Sequence, residues 1–290
     1  MNQSMVKIKL VLFLLATLNI YAINAQSLKV MTYNIRLELA SDGENDWNHR
    51  KDMFVGQLIF FEPDIFGVQE ATPGQVNDIS NLLSNYNYTG KGRDGEGKGE
   101  SSGIYYKKDR FILKQTNTFW LSETPDSISK GWDAAYNRVC TYGLFKDKKT
   151  KNLFWLFNTH LDHIGEIART KGIQLILSRI AALNKKSYPV IFMGDFNSEP
   201  TTDRILNLKK VMNDCRDVSI EKPYGPAGSF NGFKHNEPVT RLIDYIFVSK
   251  SAILKVNKYA VLSDSDKLRY PSDHLPVYVE LIYADKYEKK

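Results

Sequence analysis

The sequence predicts a single mixed α/β domain, and three observations carry that prediction. Strand-like and helix-like segments alternate along residues 26–290, neither a repeat nor a long linker divides them, and that length can bury one large core. Residues 1–25 are set apart first. Lys7 and Lys9 precede the apolar run Leu10–Leu18, and Ala22-Ile23-Asn24-Ala25 ends in a small residue, the pattern of a secretory signal peptide. The run falls short of the ~20 residues that a membrane-spanning helix needs. Cleavage after Ala25 is expected. The mature chain, residues 26–290, should be exported to a periplasmic or extracellular space as a monomer with no transmembrane span.

The elements follow in order. Leu28–Asn34 alternates apolar and polar residues as a half-buried strand does. Arg50–Phe61 reads as a helix that stops before Glu62-Pro63-Asp64, and Ile65–Gln69 as a short buried strand ending at Glu70. Gln75–Leu83 is a second helix. Gly90 to Gly99 holds five glycines among charges and predicts a mobile loop without a core of its own. Strands are expected at Gly103–Tyr106, Arg110–Trp120, Val139–Phe145 and Phe154–Thr159, the last two joined by the polar turn 147–152. Glu166–Leu183 carries Ile173, Ile176, Leu177, Ile180 and Leu183 on one stripe, the clearest helical pattern in the chain. Pro189–Gly194 predicts a strand and Thr202–Leu208 a helix. Three more strands are expected at Leu242–Ser249, Ile253–Leu262 and Val277–Tyr283.

Charge narrows the partners only slightly. The formal charge of +6 falls to +4 without Lys7 and Lys9, because residues 1–25 contain no acid. That excess suits a polyanion without demanding one. Two cysteines, Cys140 and Cys215, exclude a disulfide scaffold and a cysteine zinc site. Cys140 lies in the apolar run 139–145, where a buried free thiol is expected; export leaves one disulfide open.

Chemistry is suggested by where the polar residues fall. Asn34, Glu70, His160 and Asp195 each stand at or just past the end of a predicted strand, and strand ends in layered α/β folds converge on one edge. Asp244 and Asp273-His274 stand before strands and can join them. Cleaving a phosphoester needs an oxygen-ligated cation, a base for water and donors for the phosphate oxygens. Hard cations such as Mg²⁺ take carboxylates and water. The five histidines are too scattered for a zinc cage, and no HExxH is present. Taken singly, each of these residues is a turn or capping residue as readily as a ligand. His49 and His235 read as surface groups, and turn geometry explains Asp162 and His163 as well as chemistry does. The tryptophans read as packing residues, with Trp132 as a candidate stacking platform.

Six motifs in order make the pattern specific. Met31-Thr32-Tyr33-Asn34, Gln69-Glu70, Asn158-Thr159-His160-Leu161, Gly194-Asp195-Phe196-Asn197, Arg241-Leu242-Ile243-Asp244-Tyr245 and Ser272-Asp273-His274 resemble those of the endonuclease/exonuclease/phosphatase superfamily and span nearly the whole mature chain. The resemblance implies a four-layer α/β sandwich, two mixed sheets face to face with helices outside. It implies a phosphoester hydrolase using one or two Mg²⁺ or Mn²⁺ ions. Glu70 would be the principal metal ligand, with Asn34 helping to hold metal or phosphate and Asp273 as a further ligand. His274, oriented by Asp244, would position or deprotonate the attacking water. Asp195 would hold water or metal, and Asn197 would donate to a phosphate oxygen. His160 matches a second histidine of the deoxyribonuclease branch, for which Glu100 is the positional partner, the pair protonating the leaving oxygen. Arg138 would clamp phosphate. For Glu100 and Arg138 a surface salt bridge is the alternative.

Departures from the branches bear on the substrate. Ser198-Glu199-Pro200-Thr201 after Gly-Asp-Phe-Asn, and Leu242-Ile243-Asp244-Tyr245, differ from the inositol phosphatase patterns. No exposed apolar hairpin of the sphingomyelinase kind is seen. Gly194–Thr201 is most similar to the deadenylase-like branch and its bacterial relatives. An exported nuclease or nucleotide-type phosphodiesterase leads, followed by hydrolysis of a lipid head group or phosphorylated glycan. A non-catalytic polyanion-binding protein is the reading from another class, and it would not need Glu70 and His274 together.

Overall fold

The structure, a computed structural model, describes residues 27–250 and 253–283. The expected signal segment lies outside the described residues. Among the described residues, no helix is long and apolar enough to cross a membrane.

Among the described residues, twelve strands form two six-stranded sheets. The first contains β1 (Ser27–Asn34), β2 (Ile65–Gln69), β3 (Tyr86–Thr89), β4 (Ile104–Lys107), β11 (Leu254–Val261) and β12 (Val277–Tyr283), in the order β11-β12-β1-β2-β4-β3. The second contains β5 (Phe111–Trp120), β6 (Val139–Asp147), β7 (Leu153–His160), β8 (Val190–Asp195), β9 (Met212–Asp214) and β10 (Asp244–Ser249), in the order β5-β6-β7-β8-β10-β9. Among these twelve strands, β1–β2 and β7–β8 pair in parallel and the other pairs are antiparallel.

The core sits in three slabs. Between the sheets, Val30 and Val279 pack with Phe145, Leu156, Ile191 and Ile246. Outside the first sheet, α1 (Trp47–Phe61) and α2 (Pro73–Leu82) bury Phe54, Leu58 and Ile79 against Met31, Phe66 and Val68. Outside the second, α3 (Glu166–Leu183) and α4 (Asp203–Val211) bury Ile173, Ile176 and Ile205 against Phe157 and Phe192. The four-layer α/β sandwich is therefore as expected. A one-turn helix, α5 (Cys215–Val218), follows β9. Cys140 and Cys215 are both buried free thiols.

The starts of α1 and α2 lie earlier than the apolar pattern suggests because capping sets them. Asp46 caps α1 by accepting from Asn48 N, and Thr72 with Gln75 forms a reciprocal capping box before Pro73 of α2. The strand β3 and the pair β9–α5 lack any period long enough to read. The glycine-rich segment is held rather than loose. Arg93 N donates to Glu100 O (2.8 Å), Trp120 Nε1 to Arg93 O (2.7 Å), and Asn137 Nδ2 to Asp94 Oδ1 (2.9 Å).

A buried polar latch joins the sheets. Asn158 of β7 donates to Val68 O (3.0 Å) and Gly103 O (2.8 Å), and accepts from Gln69 Nε2 (2.7 Å), which also donates to Thr32 Oγ1. These bonds satisfy groups that would be costly to bury alone. Gly67 leaves the space: a Cβ there would lie 2.6 Å from the Asn158 side chain.

Candidate active site

The two parallel pairs bring distant motifs to one edge. Asn34 lies opposite Gln69 at the ends of β1 and β2, and His160 opposite Asp195 at the ends of β7 and β8. Asp244, the first residue of β10, also pairs with Asp195. The segment before β12 enters at the same edge, since Val277 pairs with Thr32. Gly194 is required where β8 meets β7: its φ is 143°, and a Cβ would lie 1.9 Å from Thr159 O. The resulting cleft, about 580 Å³, is lined by Glu70, His160, Asp195, Asn197, Asp273 and His274, with Glu100 and Arg138 on one wall. A second recess of about 530 Å³, between Phe61, Tyr224 and Tyr278, holds no histidine and lies away from these residues.

His274 is oriented from behind. Its Nδ1 hydrogen-bonds Asp244 Oδ2 (2.8 Å), and the same oxygen accepts from Ser229 Oγ (2.6 Å). Ser229 Oγ in turn accepts from the N–H groups of Ile243 and Asp244 (3.2 and 3.1 Å). The carboxylate therefore fixes the Nδ1–H tautomer and leaves Nε2 for chemistry, 3.8 Å from Asp195 Oδ2. Phe230 packs edge-on against the ring at 5.1 Å. Burial opposes the imidazolium, but Asp244, Asp195 and Asp273 together lift the pKa to about 10. Atoms of Asp195, Asp244 and His274 that could ligate a metal lie within 4.8 Å of one another. Asp244 Oδ2 is already committed to His274 and Ser229, so this trio reads first as an orienting cluster.

The remaining acids crowd one another. Burial, then Asp244, raises the Asp195 carboxyl above the ordinary range, and burial together with Glu70 raises that of Asp273. Asn34 bridges two of the acids, its Nδ2 donating to Glu70 Oε1 (3.0 Å) and Asp195 Oδ2 (2.9 Å). Its Oδ1 accepts from Arg36 N (3.0 Å), so Asn34 acts here as a donor to carboxylates. Glu70 stands at φ 62°, in the left-handed region, and Leu37 N donates to its Oε2 (3.1 Å). Carboxylate oxygens from Glu70 and Asp273 form the hard donor set that Mg²⁺ or Mn²⁺ takes, and the raised acids are what such an ion would relieve.

His160 departs from expectation. The Glu100–His160 pair is not made, because Arg93 takes Glu100 (Nη2–Oε1 2.8 Å). Arg138 Nη1 donates to His160 Nδ1 (3.0 Å), placing the imidazole proton on Nε2, 3.4 Å from Asp195 Oδ2. Burial, then Arg138, holds His160 well below the usual histidine range, so it stays neutral. Arg138 also donates to Asp162 Oδ2 (3.2 Å) and His163 Nδ1 (3.1 Å). The salt bridge weighed against a phosphate clamp thus exists, but it is buried and steadies two histidines. Asn197 Nδ2 donates to Leu161 O (2.9 Å), and its backbone N–H donates to Asp195 Oδ1 (2.8 Å).

Several residues of this site carry no sequence signal. Ser229 and Arg93 lie in loops without periodicity. Arg50 is 2% exposed and reads as one more polar helix position. Its guanidinium donates to Ile35 O (2.9 Å), Pro271 O (2.6 Å), Arg36 O (3.1 Å) and Asn45 O (2.5 Å), tying the exit of β1 to the Asp273 segment. Trp47, Trp120 and Trp155 are buried as expected, and Trp132 is half-buried.

Known proteins are similar to this chain in sequence and fold. The model of the endonuclease/exonuclease/phosphatase family matches residues 31–274. The structure of a mannosyl-6-phosphatase from Bacteroides thetaiotaomicron is similar, with TM-score 0.83 and 39% identity over 88% of this chain and 99% of that one. Among curated proteins, an uncharacterised protein of Acanthamoeba polyphaga mimivirus is 30% identical over 168 residues, 55% of this chain and 61% of its own length. The Ccr4 3'-5'-exoribonuclease subunit of the CCR4-Not complex of Kluyveromyces lactis is 22% identical over 80% of this chain. The chain spans only 37% of that subunit. With five of its six motifs lining one cleft, Asn34 of the other bonded to Glu70 and Asp195 there, and the family model covering them all, the chain belongs to the endonuclease/exonuclease/phosphatase family of phosphoester hydrolases.

Proposed function

We propose that this chain is an exported, divalent-cation-dependent phosphoester hydrolase whose substrate is a phosphorylated sugar. The observation that carries the hydrolase reading is the Asp244–His274 pair opening Nε2 onto the cleft that also holds Glu70 and Asp273. A cation held by Glu70 and Asp273 would neutralise phosphate oxygens and lower the proton affinity of His274. His274 Nε2 then takes the proton of a water whose oxygen bonds to phosphorus. The bond from phosphorus to the alcohol oxygen breaks, and the alcohol leaves with a proton from solvent. Asp244 and Ser229 hold the imidazole through this step. Neutral His160 holds Asp195 rather than supplying an imidazolium acid.

The sugar reading is supported by the likeness to the mannosyl-6-phosphatase at 39% identity over nearly its whole length. A nuclease-type reading is the second, supported by the Ccr4 likeness at 22% identity. Export is supported by the basic and apolar pattern of residues 1–25.

Purified protein with Mg²⁺ or Mn²⁺ should hydrolyse p-nitrophenyl phosphate or its bis ester, and EDTA should stop it. Glu70→Gln and His274→Ala should each lower kcat by about 10²–10⁴. Full turnover in either variant, or in EDTA, sinks the reading. N-terminal sequencing of protein recovered outside the cytoplasm should begin after Ala25; a retained chain with intact residues 1–25 refutes export.

A further inference from the structure

The wall of the cleft beside His160 carries an ion pair that the hydrolytic residues do not use. Arg93 and Glu100 meet at 2.8 Å with side chains 15% and 14% exposed, so both are shielded yet reachable from the cleft. Glu100 is released from His160 because Arg138 occupies Nδ1 of that ring. Arg93 is held in place by the ring of Tyr136, over which its guanidinium lies at 4.7 Å, and Tyr136 in turn stacks on His163 (5.8 Å, 15°). The same segment is fixed by Trp120, whose Nε1 donates to Arg93 O, and by Asn137, whose Nδ2 donates to the Asp94 carboxylate. The wall is thus preorganised, with a fork of donors next to a carboxylate acceptor.

We propose that Arg93 and Glu100 form the subsite for the leaving alcohol, and that this alcohol is a polyol ring such as a hexose. The inference rests on the phosphoester hydrolase reading above. Each sugar hydroxyl both donates and accepts, so neighbouring hydroxyls match a carboxylate beside a guanidinium. Tyr136 is a positioning residue here, holding the Arg93 fork rather than touching the reacting atoms.

The test compares kcat/KM for a hexose 6-phosphate with that for p-nitrophenyl phosphate, which lacks hydroxyls, in the full chain with Mg²⁺. Glu100→Gln and Arg93→Met should each lower the hexose-to-aryl ratio by about tenfold or more, mainly through KM, the scale of one charge-assisted hydrogen bond. Tyr136→Ala should lower the ratio less, and Tyr136→Phe should restore it. A ratio that stays the same in both Glu100→Gln and Arg93→Met overturns the subsite, as does a wild type that prefers an oligonucleotide to the hexose phosphate. Absence of turnover on aryl and hexose phosphates alike would instead overturn the hydrolase reading on which it rests.

Discussion

Replacing Arg50 by Met tests whether one buried guanidinium holds the two ligand-bearing segments in register. Arg50 donates four hydrogen bonds, all to backbone carbonyls, from Ile35, Arg36, Asn45 and Pro271. Met fills much of the space against Trp47 and Phe233 but leaves those carbonyls without their donor. Bonds from a charged donor contribute ~1.5–3 kcal/mol each, and the desolvation of a buried charge offsets a large part of their sum. A net loss of about 4 kcal/mol in unfolding free energy follows, which is most of the stability of a marginal domain. The functional consequence is more specific. Ile35 and Arg36 follow Asn34, and Pro271 precedes Asp273 by two residues, so relaxation there separates Glu70 from Asp273. Mn²⁺ affinity, followed by calorimetry on protein kept folded at low temperature, should fall by about tenfold or more, the scale of a lost supporting contact around a metal. Arg50→Lys keeps the charge but cannot span the same carbonyls and should fall between the two. Urea unfolding within about 1 kcal/mol of wild type, together with unchanged Mn²⁺ affinity, would refute the reasoning.

Two further outcomes follow from the same geometry. Gly194→Ala should cost at least about 2 kcal/mol, since alanine resists the positive φ and its Cβ meets Thr159 O; a melting temperature equal to wild type would show that β7 and β8 can part without penalty. Asp162 gives a pH dependence. Burial alone would raise its pKa, but the N–H groups of Gly165, Ala135 and Ile164, with Arg138, hold it well below the ordinary carboxylate range. Its folded pKa is depressed, so its contribution is fully present above the unfolded value near about 4 and is lost as pH falls toward the folded one. Urea midpoints measured from neutral pH downward should show that loss in wild type and a shallower one in Asp162→Asn; equal slopes would remove Asp162 from the account.

The sequence was most legible where a period runs long and least where a contact crosses between loops. The helix Glu166–Leu183 and the strand Val277–Tyr283 are seen at their expected bounds because repeated apolar positions fix both ends. The strand Tyr86–Thr89 has four residues, too few to show alternation against the glycine loop that follows. In the site, strand ends were readable because motif and element boundary coincide at Asn34, Glu70, His160 and Asp195. Pairings were not. Glu100 and Arg138 both lie in loops, and which of them faces His160 depends on how residues 90–99 and 121–138 fold back. The glycines that suggested mobility permit the tight turns instead, and tryptophan and asparagine side chains from other segments then pin them.

The same division explains why the motifs had to be distant in sequence. Each sheet contributes a parallel pair, and a parallel pair needs a long crossover, so Asn34 and Glu70 are separated by α1 and His160 and Asp195 by α3. Neither half is a site alone. Glu70 and Asn34 come from the first sheet, Asp195 and His160 from the second, and Asn34 joins them by donating to Glu70 and Asp195 at once. The alignment of the halves depends on the buried latch of Asn158 with Gln69, one residue before Glu70 and two before His160. A polar network in the middle of an apolar interface lets the sheets settle in one register only, since any slide leaves its donors and acceptors unpaired. The hydrolytic geometry is therefore set by inter-sheet hydrogen bonding, and substitutions in the latch should disturb chemistry without touching the cleft.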